Sequence, residues 1–277
     1  MSIRTVLCIL PAKAFDEDLR VAADFCREAD AHLIAVPTQL ISYPIVSNDR
    51  ALSSVWLEDR QREMDELAQT VDELKRKLGS TDLSFDVSGM CVEYGLARRR
   101  ISQRALYADL VLVGRQACLV EGIRTDVVNG VLFETATPVI VNGRNEPLSI
   151  APQSIVLAWD SSNEAACAAR QSLEFMKLAR TVFVTMIDPV VKDDVNGEEP
   201  GADIATFLAR HGVPVQVDRL PSGGRPVDQA LLQHTVDVGA TLLVMGAYNH
   251  PRWQQIIFGG VTNNLIDQGA VPLFLSR

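Results

Sequence analysis

Two tandem α/β domains, each a doubly wound parallel sheet of five strands with helices on both faces, are the fold this sequence predicts. Three observations predict it. The chain repeats its pattern at half-length, short apolar runs alternate with amphipathic stretches, and a turn-rich segment divides the copies. At 277 residues there is room for two domains of ordinary size, and 47% hydrophobic residues can furnish a core for each.

The first copy opens on a buried-strand run, Thr5 to Leu10, followed by a helical stretch from Asp16 to Ala29 and a second strand from Ala31 to Val36. The second copy opens on Ser154 to Trp159, followed by a helix from Glu164 to Ala179 and a strand from Thr181 to Met186. Late in each copy an apolar run ends on glycine, Asp109 to Gly114 and Thr241 to Gly246. Each copy closes on proline and apolar residues, Thr137 to Val141 and Val271 to Leu275. Such a period is too long for a solenoid. The seam falls at 142–153, NGRNEPLSIAPQ, where Asn, Gly and Pro concentrate. The expected domains are therefore 1–147 and 151–277. Only the first copy contains a long helix, about Arg50 to Leu78. Leu52, Trp56, Met64, Leu67, Val71, Leu74 and Leu78 line one face, Ser47-Asn48-Asp49 can cap its start, and Gly79 can end it. That stripe can face a core or a partner, and core packing is the expectation.

Charge and composition exclude several classes. A net charge of −9 argues against nucleic acid as a main partner, since phosphate backbones need stripes of Lys and Arg. The one basic run, Arg98-Arg99-Arg100, reads as a solvated helix face. The five cysteines have no CxxC spacing and the four histidines no ligand spacing, so reduced thiols and no metal site are expected. No apolar run approaches the ~20 residues that span a bilayer, and the start does not read as a signal peptide. The expectation is a cytoplasmic protein without membrane or nucleic-acid partners.

Most functional information lies between Thr241 and Arg277. A buried strand ends at Gly246, a polar loop follows, and Gly259-Gly260 opens a helical pattern of Val261, Leu265 and Ile266. Glycines between a strand and a helix start let main-chain N–H groups approach an anion, which makes the loop a candidate phosphate site; equally, they serve tight turns. Asp160 follows the first strand of the second copy, where a carboxylate can accept from adenine or ribose or cap the next helix. Ser222-Gly-Gly-Arg-Pro226 follows the third strand, the wrong place for a pyrophosphatase loop. There is no P-loop and no nucleophile elbow, and His250 beside Pro251 reads as a surface histidine.

Taken together, these residues resemble the universal stress protein family. The family's nucleotide loop reads G-x-x-G, nine residues, then G-[ST], commonly continuing Val-Thr. This chain has Gly246-Ala-Tyr-Asn249, nine residues, then Gly259-Gly-Val-Thr262. Asp160, Met186-Ile-Asp188 and Gly224-Arg-Pro226 add supporting matches. The resemblance covers 151–277 and, more weakly, 1–147. It implies a tandem member with a Rossmann-like, adenine nucleotide alpha hydrolase-like sheet ordered 3-2-1-4-5 in each domain. It also implies ATP or another adenine nucleotide such as AMP as ligand, with Mg²⁺ held only through the nucleotide. By the same resemblance Asp160 would contact adenine or ribose and Met186 would line the base pocket. Gly246 and Gly259 would admit the phosphates, Thr262 would assist near the helix start, and Asn249, Gly260 and Val261 would belong to the same binding loop.

The match has departures. Asn249 replaces the loop's second glycine, and Gly260 replaces a hydroxyl that would bind phosphate. Losing a hydrogen bond to a charged group costs about 1.5–3 kcal/mol, so weak or vestigial binding is expected. The first copy lacks both the Asp160 carboxylate and the glycine pair, with Asp126-Val-Val-Asn-Gly130 in the pair's place. It reads as a structural partner for the second within one chain; a homodimer stays open. Function is expected through an unknown protein partner, with a ligand-free scaffold or chaperone-like adaptor as the alternative and slow ATP hydrolysis behind both. No catalytic residue is evident.

Overall fold

The computed structural model describes residues 3–41, 50–189, 199–247, 264–266 and 271–277, with 50–55 described for their backbone alone. The first half contains β1 (Thr5–Pro11), α1 (Asp16–Ala29), β2 (His32–Ile41), α2 (Arg50–Gly79), β3 (Phe85–Val87), β4 (Met90–Glu93), α3 (Ala97–Ala105), β5 (Leu110–Gly114), α4 (Arg115–Leu119), α5 (Ile123–Glu134) and β6 (Val139–Asn142). The second contains β7 (Ser154–Ala158), α6 (Asn163–Gln171), α7 (Leu173–Leu178), β8 (Thr181–Ile187), α8 (Ala202–Arg210), β9 (Val215–Leu220), α9 (Val227–Asp237), β10 (Leu242–Gly246) and β11 (Leu273–Ser276). Residues 264–266 are helical.

All strands join one sheet ordered β3-β2-β1-β5-β6-β11-β10-β7-β8-β9, with β4 also on β2. Each half thus has the expected order 3-2-1-4-5, and the halves meet tail to tail. The third strand of the first half is divided: β3 and β4 pair with successive parts of β2. Pairing is parallel within each half and antiparallel at the meeting of β6 with β11, where Phe274 faces Ile140.

Parallel sheets covered by helices on both faces are built from continuous apolar runs, because neither side meets water. Val6, Leu7, Cys8, Ile9 and Leu10 are accordingly all fully buried. Alternate residues feed two cores, Val6, Cys8, Ile155 and Leu157 on one face and Leu7, Ile9 and Val156 on the other. Both cores run across the seam. Phe25 of α1 stacks on Phe175 of α7 with ring centroids 6.0 Å apart, and Phe175 meets Phe274 edge-on at 5.9 Å. The Ile3 N–H donates to Glu174 Oε2 at 2.9 Å.

Two helices depart from the sequence reading. The stripe of α2 meets the core only toward its C-terminal end: Leu67, Leu74 and Leu78 are buried, whereas Met64 is exposed. A helix of 30 residues runs about 45 Å, further than the neighbouring strands, so its first turns pass beyond the sheet. The side chain of Leu52 and the cap at Ser47-Asn48-Asp49 lie outside the described residues. The helix expected from Glu164 to Ala179 is two helices. Buried Ser172 separates them, its hydroxyl donating to the Ala168 carbonyl one turn back, a bond that competes with regular helix geometry. Among the described residues no helix is long and apolar enough to cross a membrane, no group of His, Cys, Asp and Glu could hold a metal ion, and none of the five cysteines forms a disulfide.

Candidate functional site

A doubly wound sheet opens a crevice beyond the carboxyl ends of its strands where strand order reverses. In the second half that point lies between β7 and β10, which pair directly. Asp160 follows β7 there and is exposed. Its Oδ1 accepts from the Ser162 N–H at 3.0 Å and from the Ser162 hydroxyl. Ser162 is the N-cap of α6, its own Oγ accepting from the Ala165 N–H at 3.1 Å. Ser161 takes up the turn at φ 62°. Asp160 therefore braces the cap rather than forming it, just beyond the C-terminal end of β7.

Gly246 ends β10 directly against the first turn of α6. A Cβ there would stand 2.4 Å from the Glu164 carbonyl carbon and 2.5 Å from the Ala165 nitrogen. Strand and helix backbones can meet this closely only because residue 246 has no side chain. Met186 is 2% exposed, and its sulfur faces Gly201 at the start of α8. Asn249, Gly259, Gly260, Val261 and Thr262 lie outside the described residues, as does His250; Leu265 and Ile266 beyond them are buried as their pattern predicts.

Sequence reasoning missed the ties that hold the crevice wall. The Ser222 N–H donates to Asp188 Oδ1 at 3.0 Å, fastening the end of β8 to the Ser222–Pro226 loop. Hydrogen bonds from Ser222 hold the Asp188 carboxyl below its ordinary range. Buried Asp228, in the first turn of α9, accepts from Asn264 Nδ2 at 3.0 Å. Asp at a first helical turn is a readable signal, but its partner 36 residues away is not.

The first half resolves the same place differently. Gly114 ends β5 as Gly246 ends β10, and a Cβ there would lie 2.3 Å from the carboxyl of Asp18. Asp18 is the third residue of α1, as Ala165 is of α6. It is 1% exposed. Its Oδ1 accepts from the Gln116 N–H at 3.0 Å and its Oδ2 from the Ala117 N–H at 2.9 Å, while its own N–H donates to Gln116 Oε1. An internal carboxylate thus takes the main-chain donors that follow the strand. Burial raises the Asp18 pKa, and the N–H groups of Ala117 and Gln116 and the Asn145 side chain offset part of that.

Asp126 and Gly130, expected in place of the glycine loop, lie inside α5. Beside β1 and β2 a pocket of about 330 Å³ is lined by Lys13, Ile41, Trp56, Arg60 and Glu66. Lys13 pairs with Glu66 at 2.7 Å, and the Arg60 guanidinium lies 5.2 Å from the Trp56 ring centroid. By strand register Pro11 stands where the second half has Asp160, so the first half has no carboxylate there.

No protein-family model matches the sequence, and no curated protein matches it either. Solved structures do share the fold. A universal stress protein from Archaeoglobus fulgidus DSM 4304 superimposes with a TM-score of 0.64 at 13% identity, covering 98% of this chain and 96% of that one. A provisional universal stress protein from Pseudomonas aeruginosa UCBPP-PA14 gives 0.64 at 13%, covering 99% and 93%. A protein of unknown function from Pseudomonas aeruginosa PAO1 gives 0.60 at 14%, covering 99% and 92%. The chain has the fold of these proteins over essentially its whole length.

Proposed function

We propose that this chain is a tandem universal stress protein of the cytoplasm, in which residues 151–277 bind an adenine nucleotide weakly and residues 1–147 are a degenerate copy. One observation carries the reading. The first copy satisfies its post-strand N–H groups with the Asp18 carboxylate, whereas the second has Ala165 at that helix position, which offers no internal anion. The loop from Gly246 to Thr262 is then left to an external phosphate, with Asp160 at the adenine or ribose end. The departures at Asn249 and Gly260 set the affinity low, and signalling passes through an unidentified protein partner. Because β6 and β11 already pair with each other, a homodimer would have to use another surface.

A second reading, a ligand-free adaptor, is favoured by Met186, which is covered at the start of α8 rather than open to a base. Native mass spectrometry for retained nucleotide, followed by calorimetry with ATP and Mg²⁺, separates the two. A dissociation constant weaker than millimolar favours the adaptor. Under the nucleotide reading Asn249→Gly with Gly260→Ser tightens binding, and Asp160→Ala lowers preference for adenine over other bases. Unchanged affinity in the first variant refutes the account of the loop.

A further inference from the structure

The Arg98-Arg99-Arg100 run is solvated as the sequence predicts, with Arg99 and Arg100 exposed, but its side chains have different surroundings. Arg98 pairs with Glu134 at 2.8 Å. Arg100 and Arg104, one turn apart on α3, instead line a cavity of about 380 Å³ together with Gln103, Tyr107 and Gly89 to Cys91. Among the described residues neither arginine has a carboxylate partner, and Arg104 donates only to the Ser88 hydroxyl. Burial and the neighbouring charge of Arg100 both press the Arg104 pKa downward. In a chain of net charge −9, two arginines line one cavity with no ion pair among the described residues.

The opposite wall is the open side of β4. The Ser88 N–H bonds the Ala35 carbonyl and the Tyr94 N–H bonds that of Ile41. Alternation along the strand therefore turns the main-chain groups of Cys91, and of Gly89 before it, away from β2. Among the described residues β4 pairs with β2 alone. The groove combines an exposed arginine, a half-buried arginine held by the Ser88 hydroxyl, outward N–H groups, and an exposed amide and phenol, the donor set that a phosphoryl group takes.

We propose that this groove between α3 and the open edge of β4 binds a small dianion of the phosphomonoester class. It lies beside the third strand position of the first half, away from the crevice edge at Asp160. A dianion matches the two charges, and the volume falls in the range of small-molecule sites.

Calorimetric titration of the full chain with inorganic phosphate, at ionic strength fixed with chloride, tests it. Saturable binding is expected, weakened at least tenfold in the double variant Arg100→Gln, Arg104→Gln. It should weaken likewise in Gln103→Glu, which places a carboxylate in the cavity without removing an arginine, and be unchanged in Arg210→Gln, which removes an exposed cation at the end of α8. Acetate should compete poorly. Absence of saturable heat, equal affinity in the wild type and the arginine or Gln103→Glu variants, equal weakening in Arg210→Gln, or equal competition by acetate would each overturn the proposal.

Discussion

Replacing Gly246 by alanine separates two reasons for a glycine at that strand end. If it only leaves room for a ligand, Gly246→Ala lowers nucleotide affinity and leaves stability alone. The geometry requires more. The new Cβ would lie 2.4 Å and 2.5 Å from main-chain atoms of Glu164 and Ala165, where carbon contacts normally begin near 3.5 Å. Helix α6 would have to retreat by about 1 Å from β10, against which it packs. Overpacking of this kind costs about 1–3 kcal/mol, and a backbone obstacle that cannot rotate away puts the cost near the upper end. For a chain of this size that corresponds to a fall in Tm of about 5 °C.

Thermal unfolding followed by circular dichroism measures the shift. Gly143→Ala is the control, because among the described residues its Cβ would meet only the Ile266 carbonyl oxygen at 3.6 Å; its Tm should move by less than about 1 °C. Gly114→Ala supplies a second comparison. Its obstacle is the Asp18 side chain, so adding Asp18→Ala should recover part of the loss, whereas Gly246→Ala has no side chain whose removal relieves it. A Gly246→Ala protein with wild-type Tm would refute the packing argument.

Asp18→Asn should destabilise by about 1–3 kcal/mol at neutral pH, because one of the two main-chain donors would face an amide NH₂. The folded pKa of Asp18 is raised above its ordinary 3.8, so its contribution is fully present below that value and is lost as pH rises through the folded pKa. The deficit of Asp18→Asn relative to wild type should therefore be larger at acid pH than at neutrality in denaturant titrations; a deficit that grows with pH would contradict the assignment. Ser162→Ala removes the N-cap of α6 and should cost about 1 kcal/mol, read as a lower denaturation midpoint. Thiol labelling of the native protein should reach Cys91, Cys118 and Cys167 but not the buried pair, since burial pushes Cys26 up to about 12 and Cys8 well above its ordinary value. Mass spectrometry of tryptic peptides counts the modified sites.

What the sequence by itself determined was local and periodic. Apolar runs such as Thr5 to Leu10, helical spacing such as Asp16 to Ala29, and glycine at 114 and 246 are written in adjacent residues. Two copies of that pattern are enough to predict two parallel sheets. The strand order came from the resemblance of the loop motif. Tertiary structure decided what depends on separation along the chain. That β6 and β11 join antiparallel into one sheet, and that Phe25 stacks on Phe175, are contacts between copies which neither copy's pattern specifies. The break at Ser172 turns on a hydroxyl choosing a main-chain carbonyl, which helical periodicity does not register. The meaning of the two glycines was decided last. Asp18 and Gly114 lie 96 positions apart, and only folding reveals that a carboxylate from one fills the space left open by the other. A missing side chain is legible in a sequence, but what occupies its place is set by the elements that pack around it.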